Sequence, residues 1–138
     1  MKVHHIRYIF LAMSACSGFV SAAEPPREGA EHVSIIQLIA TPEKYEGKLV
    51  TIQGFVRLEF EGNAIYLHRD DYEQGLSSNG LWLNANECKR IDGKDFDTGY
   101  ALVTGRFTST GRGHMGLWAG EIQDVSDCSS WPPGKAGI

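Results

Sequence analysis

Residues 45–60 read Tyr45-Glu46-Gly47-Lys48-Leu49-Val50-Thr51-Ile52-Gln53-Gly54-Phe55-Val56-Arg57-Leu58-Glu59-Phe60. Their alternation has the period-two pattern of a half-buried strand about twice the usual length. It predicts an inward row of Val50, Ile52, Val56, Leu58 and Phe60, and an outward row of Thr51, Gln53, Phe55, Arg57 and Glu59. Gly54 interrupts the inward row, and a missing side chain there allows a sharp bend. A long strand with a central bend indicates the start of a small closed barrel.

Four further strands are predicted along the chain, at residues 64–68, 80–85, 100–107 and 115–125. The sequence Glu61-Gly62-Asn63 is a tight turn signal between the first two strands. Gly105 occupies a position in the fourth strand that is equivalent to the bend in the first. The fifth strand is expected to carry a bulge near Gly120. In the third strand, Trp82 is expected to face away from the core.

Short helical segments are predicted at residues 33–39, 41–45 and 69–74, and Gly75 is expected to close the last of them. An Asp92-Gly93 turn interrupts the charged connection at residues 87–98. The chain is therefore expected to be mainly β, as a five-stranded barrel like the oligonucleotide/oligosaccharide-binding (OB) fold, with a short N-terminal helix. An immunoglobulin-like sandwich needs more strands than the sequence offers.

Cys88 and Cys128 are expected to form one disulfide, with two free thiols as the alternative. In the OB topology the third and fifth strands are adjacent and parallel, and each cysteine follows one of them. Both cysteines would therefore lie at the same end of the barrel. Their spacing matches no metal-binding motif of the Cys-x-x-Cys type. Closing a loop of this length stabilises a domain by roughly 3–4 kcal/mol on the chain-entropy model.

The first 23 residues have the anatomy of an export signal. A basic start precedes a short apolar run, and the small residues Val20-Ser21-Ala22-Ala23 follow as a cleavage site. A second interpretation is that Met13-Ser14-Ala15-Cys16 is an imperfect lipobox, which would make Cys16 a lipidated N-terminus. Both interpretations predict a periplasmic, secreted or lipid-anchored protein, and the even cysteine pair suits an oxidising compartment.

The predicted organisation is a signal peptide at 1–23, a flexible leader at 24–32, the barrel at 33–128 and a tail at 129–138. Without the two basic residues of 1–23, 11 Lys and Arg oppose 17 Asp and Glu, a net charge of −6. An acidic exported domain is a poor candidate for binding nucleic acid, which is held by Lys and Arg at its phosphates. No transmembrane segment is expected in the mature chain.

Several blocks of the chain resemble small exported bacterial proteins that are predicted to be OB-like. The first runs from Pro42 to Val50 and is followed by Gly54-Phe55-Val56. The other blocks are Ala64-Ile65-Tyr66-Leu67-His68, Gly80-Leu81-Trp82-Leu83 and Gly113-His114-Met115-Gly116-Leu117-Trp118. The resemblance covers residues 33–125. It implies the fold and assigns no activity, so no functional residue is transferred from it.

The candidate binding residues are aromatic and histidine side chains on the later strands and their loops: Tyr66, His68, Trp82, His114 and Trp118. OB barrels bind ligands across the outer face of the second and third strands and the flanking loops. Aromatic rings on that face can stack on sugars or on the apolar side chains of a partner. The alternative is that these rings pack beneath the N-terminal helix or residues 69–78. For His114, the alternative is a hydrogen bond that closes the mouth of the barrel.

The sequence His68-Arg69-Asp70-Asp71-Tyr72-Glu73 gathers potential metal ligands, but it lacks a recognised ligand spacing and contains a cation. The catalytic alternative is a metal-dependent or hydrolytic enzyme that uses His68, Asp70, Asp71 and His114. No Gly-x-Ser-x-Gly motif or phosphate loop is present.

The sequence therefore predicts a non-enzymatic binding module of the cell envelope without a cofactor or metal. Its expected partner is a protein, a peptide or a carbohydrate. A structural envelope lipoprotein is a further alternative, through Cys16. The oligomeric state is left open.

Overall fold

The computed structural model describes residues 29–91 and 93–131. The predicted signal peptide with Cys16, residues 24–28 of the leader and residues 132–138 of the tail lie outside the described residues. The strands are β1 Glu31–His32, β2 Leu49–Arg57, β3 Ala64–Tyr66, β4 Gly80–Leu83, β5 Arg90–Ile91, β6 Lys94–Asp95, β7 Thr98–Thr108 and β8 Glu121–Ser130. The helices are α1 Ile35–Ala40 and α2 Arg69–Glu73, with 3-10 turns at Pro42–Lys44, Ser77–Asn79, Asn86–Lys89 and His114–Gly116.

Five strands close into a barrel, as the sequence predicts. The order around the sheet is β2-β3-β4-β8-β7, and an antiparallel pairing of β2 with β7 closes the ring. The predicted first to fifth strands are therefore β2, β3, β4, β7 and β8. The pairing of β4 with β8 is parallel, with Trp82 opposite Glu121, whereas the other pairings in the ring are antiparallel.

The inward row predicted for the first strand is confirmed at four of its five positions. Val50, Ile52 and Val56 are fully buried, and Leu58 is half-buried against the core. Phe60 is the exception, because β2 ends at Arg57 and the Phe60 side chain is 92% exposed. The prediction that Phe60 faces the core is wrong because the chain turns out of the sheet before the alternation reaches it.

Glycines in β2 and β7 allow close packing inside the barrel. Gly54 lies in β2, opposite Ala101 of β7. Gly105 lies in β7, opposite Val50 of β2. A Cβ on Gly54 would lie 2.5 Å from the carbonyl oxygen of Tyr66, and one on Gly105 would lie 2.6 Å from Ile122. Any side chain at either site would displace neighbouring groups.

Helix α1 contributes to the core. It is capped by Ser34, whose Oγ accepts a hydrogen bond from the backbone N–H of Gln37 at 3.2 Å, while the Ser34 N–H donates to Gln37 Oε1 at 2.9 Å. This reciprocal capping box satisfies two backbone donors of a short helix. The buried residues Ile35 and Leu38 then anchor α1 to the main core cluster.

The fifth strand, predicted at residues 115–125, begins and ends later in the structure, at Glu121 and Ser130. It begins at Glu121 rather than at residue 115, because Gly113, Met115 and Gly116 have φ values of +61°, +57° and +69°, which a strand does not accept. Residues 109–120 are therefore a loop. The irregularity lies between Gln123 and Asp127, not at Gly120.

The Cys88–Cys128 disulfide is confirmed, with a Cα–Cα distance of 5.2 Å. The sequence places Cys128 after the fifth strand, but β8 continues to Ser130, so Cys128 lies within β8, opposite Val103 of β7. Cys88 follows β4, and because β4 and β8 run parallel it lies beside the later part of β8. A disulfide of this kind is consistent with an extracytoplasmic location.

Both ends of the domain extend beyond the predicted barrel boundaries. Residues Glu31 and His32, assigned to the flexible leader, pair in parallel with Val50 and Thr51 of β2. Ser129 and Ser130, assigned to the tail, pair with Leu102 and Ala101 of β7. Strand pairing over these residues therefore brings both ends of the described chain onto the β2–β7 side of the barrel.

Candidate functional site

The outer face of β3 and β4 is covered. Tyr66 is only 5% exposed, its ring lies 5.7 Å from that of Tyr72 in α2, and its hydroxyl oxygen accepts a hydrogen bond from Trp118 Nε1 at 3.3 Å. Burial raises the pKa of the Tyr66 phenol, and hydrogen bonds with Trp118 and Ser77 oppose that rise. Tyr66 therefore packs beneath α2, which is the packing alternative for this residue, and Trp118 of the 109–120 loop joins it in a satellite core.

Trp82 connects this satellite core to the surface. Its ring is half-buried and meets Trp118 edge-on, with centroids 4.9 Å apart and planes at 66°. Gly113 lies directly on the Trp82 indole, so closely that a Cβ there would overlap the ring. Gly113 and Trp118 both belong to the 109–120 loop, so their contacts with Trp82 hold this loop against β4.

The 109–120 loop contacts the loop between β2 and β3. His114 Nε2 lies 3.8 Å from Glu61 Oε2, which joins the 109–120 loop to the loop at residues 58–63 between β2 and β3. Both side chains are about half exposed, so this ion pair adds little stability. It does show that the two loops lie next to each other. The structure therefore places His114 beside the 58–63 loop, one residue after the Gly113 that packs on Trp82.

Large apolar side chains stand exposed on these same two loops. Phe60 is 92% exposed, Met115 is 80% exposed and Leu117 is 52% exposed. Phe60 adjoins Glu61 in sequence and Met115 adjoins His114, so the contact between Glu61 and His114 brings the two segments together. We call Phe60, Met115 and Leu117 the apolar rim. Grouped apolar exposure of this kind marks interaction sites on folded proteins.

Backbone strain accompanies the apolar rim. Glu61 has a φ of +56° and Met115 a φ of +57°, in the left-handed region that non-glycine residues rarely adopt. Such conformations cost of order 1–3 kcal/mol each and are concentrated at ligand-binding and switch regions. Two of the three non-glycine residues with positive φ in the described chain therefore lie at the apolar rim, and the third is Asp124, at the irregularity of β8.

The start of the 109–120 loop is tied to the barrel by Glu46. Its carboxylate accepts hydrogen bonds from Thr108 Oγ1 at 2.6 Å, from the Ser109 N–H at 2.8 Å and from Ser109 Oγ at 2.7 Å. These bonds, led by the one from Thr108, hold the pKa of Glu46 below its ordinary value of 4.5. The ionised carboxylate is thus the form that anchors the loop.

Glu46→Gln is expected to lower the free energy of unfolding by about 1 kcal/mol or less, since the site is open to solvent. A lowered folded-state pKa means that the contribution is present above pH 4.5 and is lost as pH falls through the folded pKa. Urea unfolding of wild type and variant should therefore show a gap in the free energy of unfolding near neutral pH, and this gap should narrow as the pH falls below 4.5. Glu73→Gln, at the exposed end of α2, is the control; a Glu46 gap that persists in acid would contradict this role.

His68 lies apart from the other predicted site residues. It lines a groove of about 580 Å³ between the outer face of β2 and β7 and the segment around β1 and α1. We call this the β2–β7 groove. Its lining residues are His32, Val33, Ser34, Ile35, Gln37, Thr51, Gln53, Gly54, Leu67, His68, Tyr100, Leu102 and Trp131.

The residues of the catalytic alternative do not assemble. Asp71 is engaged within its own segment, where it accepts hydrogen bonds from the His68 N–H at 3.0 Å and from Asn79 Nδ2 at 2.8 Å. His114 instead contacts Glu61 in the neighbouring loop. Over residues 29–91 and 93–131, no group of three or more His, Cys, Asp or Glu side chains is placed to hold a metal ion.

Sequence reasoning missed the apolar rim. Phe60 was assigned to the core because the alternation of β2 continues past its end, and Met115 and Leu117 were assigned to a strand. The available signals were the turn at residues 61–63 that follows Phe60 and the glycines at 113 and 116. Both argue for loops, and an apolar residue in a loop is a candidate contact.

No protein-family model, no curated protein and no solved structure matches this chain. Within the described ranges 29–91 and 93–131, every helix is too short or too polar to cross a bilayer.

Proposed function

We propose that this protein is a non-enzymatic, OB-like binding module of the cell envelope that binds a protein partner through its apolar rim. The observation that carries the proposal is the exposure of Phe60, Met115 and Leu117 on two loops that meet at the contact between Glu61 and His114. These loops connect the first and second, and the fourth and fifth, strands of the barrel. In OB barrels the same two loops border the ligand-binding face.

The chemistry of the apolar rim favours a protein over a carbohydrate or a nucleic acid. Phenylalanine and methionine are enriched at protein interfaces, and neither offers the hydrogen bonds that sugar hydroxyls require. The carboxylate of Glu61 beside Phe60 is half exposed and would repel phosphates. The partner is therefore expected to present apolar side chains with a cationic group opposite Glu61.

The arrangement also meets a mechanical requirement of a binding surface, which is that exposed side chains be held in place. Trp118 attaches the 109–120 loop to Trp82 of β4, and Glu46 anchors the first residues of the loop. Loops that are preorganised in one conformation lose less conformational entropy on binding than mobile loops do. The envelope location rests on the predicted signal peptide and on the disulfide.

The double substitution Phe60→Ser and Met115→Ser is expected to weaken partner binding at least about tenfold, because central apolar contacts dominate interface energies. Its melting temperature should stay near that of wild type, since exposed positions change stability by about 0.5 kcal/mol or less. The measurement is quantitative capture from envelope extract, followed by titration of the purified partner.

The matched control is Ile36→Ser with Leu76→Ser, which removes two other exposed apolar side chains, 58% and 46% exposed. A partner lost with the rim variant and kept with this control supports the proposal. Equal loss with both variants, or no loss with either, contradicts it. Light scattering offers a further check. If the wild type is a dimer and the rim variant is a monomer, the proposal is also overturned, because the partner would then be a second copy of this chain.

A further inference from the structure

The β2–β7 groove is a second concave surface that the proposed protein contact leaves unused. Its volume of about 580 Å³ is within the range of small-ligand sites, roughly 300–1,000 Å³. It includes none of the residues of the 58–63 and 109–120 loops. The groove is therefore separate from the apolar rim in both position and composition.

The groove is free of formally charged side chains. Its thirteen described lining residues include no Asp, Glu, Lys or Arg. Its polar groups are instead amides, hydroxyls and imidazoles, among which Gln53, His32 and His68 are exposed. A charged ligand would lose its hydration in this groove without gaining an oppositely charged partner, which is energetically unfavourable. The lining therefore selects for a neutral ligand with many hydrogen-bonding groups.

Two aromatic side chains stand at one side of the groove. Tyr100 and Trp131 are on adjacent strand ends, joined by a hydrogen bond from the Trp131 N–H to the Tyr100 carbonyl oxygen at 3.0 Å. They are 38% and 37% exposed. Tyr100 is held from behind, since its ring meets Phe55 edge-on at 5.6 Å and its hydroxyl accepts a hydrogen bond from the Arg69 N–H at 3.4 Å. Apolar ring surface is thus available in a fixed position.

We propose that the β2–β7 groove binds a neutral carbohydrate segment. The C–H faces of a sugar ring can pack on Tyr100 and Trp131, and its hydroxyls can exchange hydrogen bonds with Gln53 and the two imidazoles. A peptide added as an extra strand needs a free sheet edge. The floor of this groove is a sheet face instead, because Gln53 pairs with Leu102 inside the β2–β7 ladder. The proposal does not rest on the protein contact at the apolar rim.

The test is titration of ¹⁵N-labelled protein with three uncharged oligosaccharides, maltohexaose, cellohexaose and chitohexaose. At least one should shift the amide resonances of Gln53, Tyr100 and Leu102. Trp131→Ala should weaken that binding about fivefold or more, as expected for loss of one aromatic contact. Gln53→Ala is a second variant on a different strand, and it should weaken binding without altering the fold.

Phe60→Ser with Met115→Ser is the control, and it should bind the same oligosaccharide with unchanged affinity. That result would support the groove even if the rim bound no protein. Three outcomes would overturn the proposal. One is the absence of shifts with all three oligosaccharides, another is shifts confined to the 58–63 and 109–120 loops, and the third is equal binding of an anionic hexagalacturonate.

Discussion

Replacing both cysteines, as Cys88→Ala with Cys128→Ala, is expected to lower the free energy of unfolding by about 4 kcal/mol. The disulfide closes a loop with a sequence separation of 40 residues, and the chain-entropy model gives this value for a loop of that size. Cys88 is fully buried in the main core cluster, so the loss of its packing adds to the entropic effect. Much of the total stability of a domain this size would be lost.

Urea unfolding with and without dithiothreitol measures this effect. Reduction should destabilise the wild type and leave the alanine double variant unchanged, because the variant has no disulfide to reduce. The slope of the transition is also expected to rise in the variant, since its unfolded chain is less compact. A loss below about 1 kcal/mol would contradict the assignment of the disulfide as a main support of the barrel.

Gly54→Ala is expected to lower the free energy of unfolding by about 1–3 kcal/mol. The new Cβ would lie 2.5 Å from the carbonyl oxygen of Tyr66, 2.7 Å from Ile65 Cγ1 and 2.9 Å from Ile35 Cδ1. Side chains can shift, but the Tyr66 carbonyl belongs to the β2–β3 ladder and cannot move without disturbing strand pairing. The contact with Ile35 would also push α1 away from the barrel.

Gly29→Ala is the matched control, because a Cβ there meets nothing within 4 Å. Thermal and urea unfolding of the two variants should separate a steric effect from the general effect of replacing glycine, which by itself stabilises a compatible site by about 0.4–1 kcal/mol. Wild-type stability in Gly54→Ala would mean that β2 does not approach β3 and α1 as closely as described.

The barrel could be predicted because its determinants are local. Alternation in β2, with glycines at 54 and 105, identifies the long bent strands without knowledge of the partners. The cysteines at 88 and 128 then limit the topology, because a disulfide between the segment after the third strand and the late part of the fifth fits two strands that run side by side in the same direction. Both inferences combine a pattern that is visible in a short stretch of sequence with a geometric restriction on how the strands can be connected.

The errors arose where long-range contacts decide the outcome. Alternation does not show where a strand leaves its sheet, so Phe60 was assigned to the core. It also does not show what covers an outer face: Phe55 is on the outward row of β2, yet it is 2% exposed because Tyr72 and Tyr100 pack on it. The start of β8 was misplaced because positive φ at Met115 cannot be read from its side chain.

The candidate site was predicted in part. Tyr66, Trp82 and Trp118 do come together, on the outer face of β3 and β4, and His114 lies in the same loop as Trp118. His68 lies instead in the β2–β7 groove, whose lining comes from segments around residues 32–37, 51–54, 67–68, 100–102 and 131. Only the closed barrel brings segments so distant in sequence together.

Photo-crosslinking tests the proposed protein contact most directly. The photoreactive amino acid p-benzoylphenylalanine is introduced in place of Phe60 in one strain and in place of Ile36, the exposed control position, in another. If the apolar rim is the binding surface, illumination of intact cells should give a discrete crosslink to one other protein from position 60 and none from position 36. The proposal is contradicted if position 60 gives no crosslink, the same products as position 36, or only a crosslink between two copies of this chain.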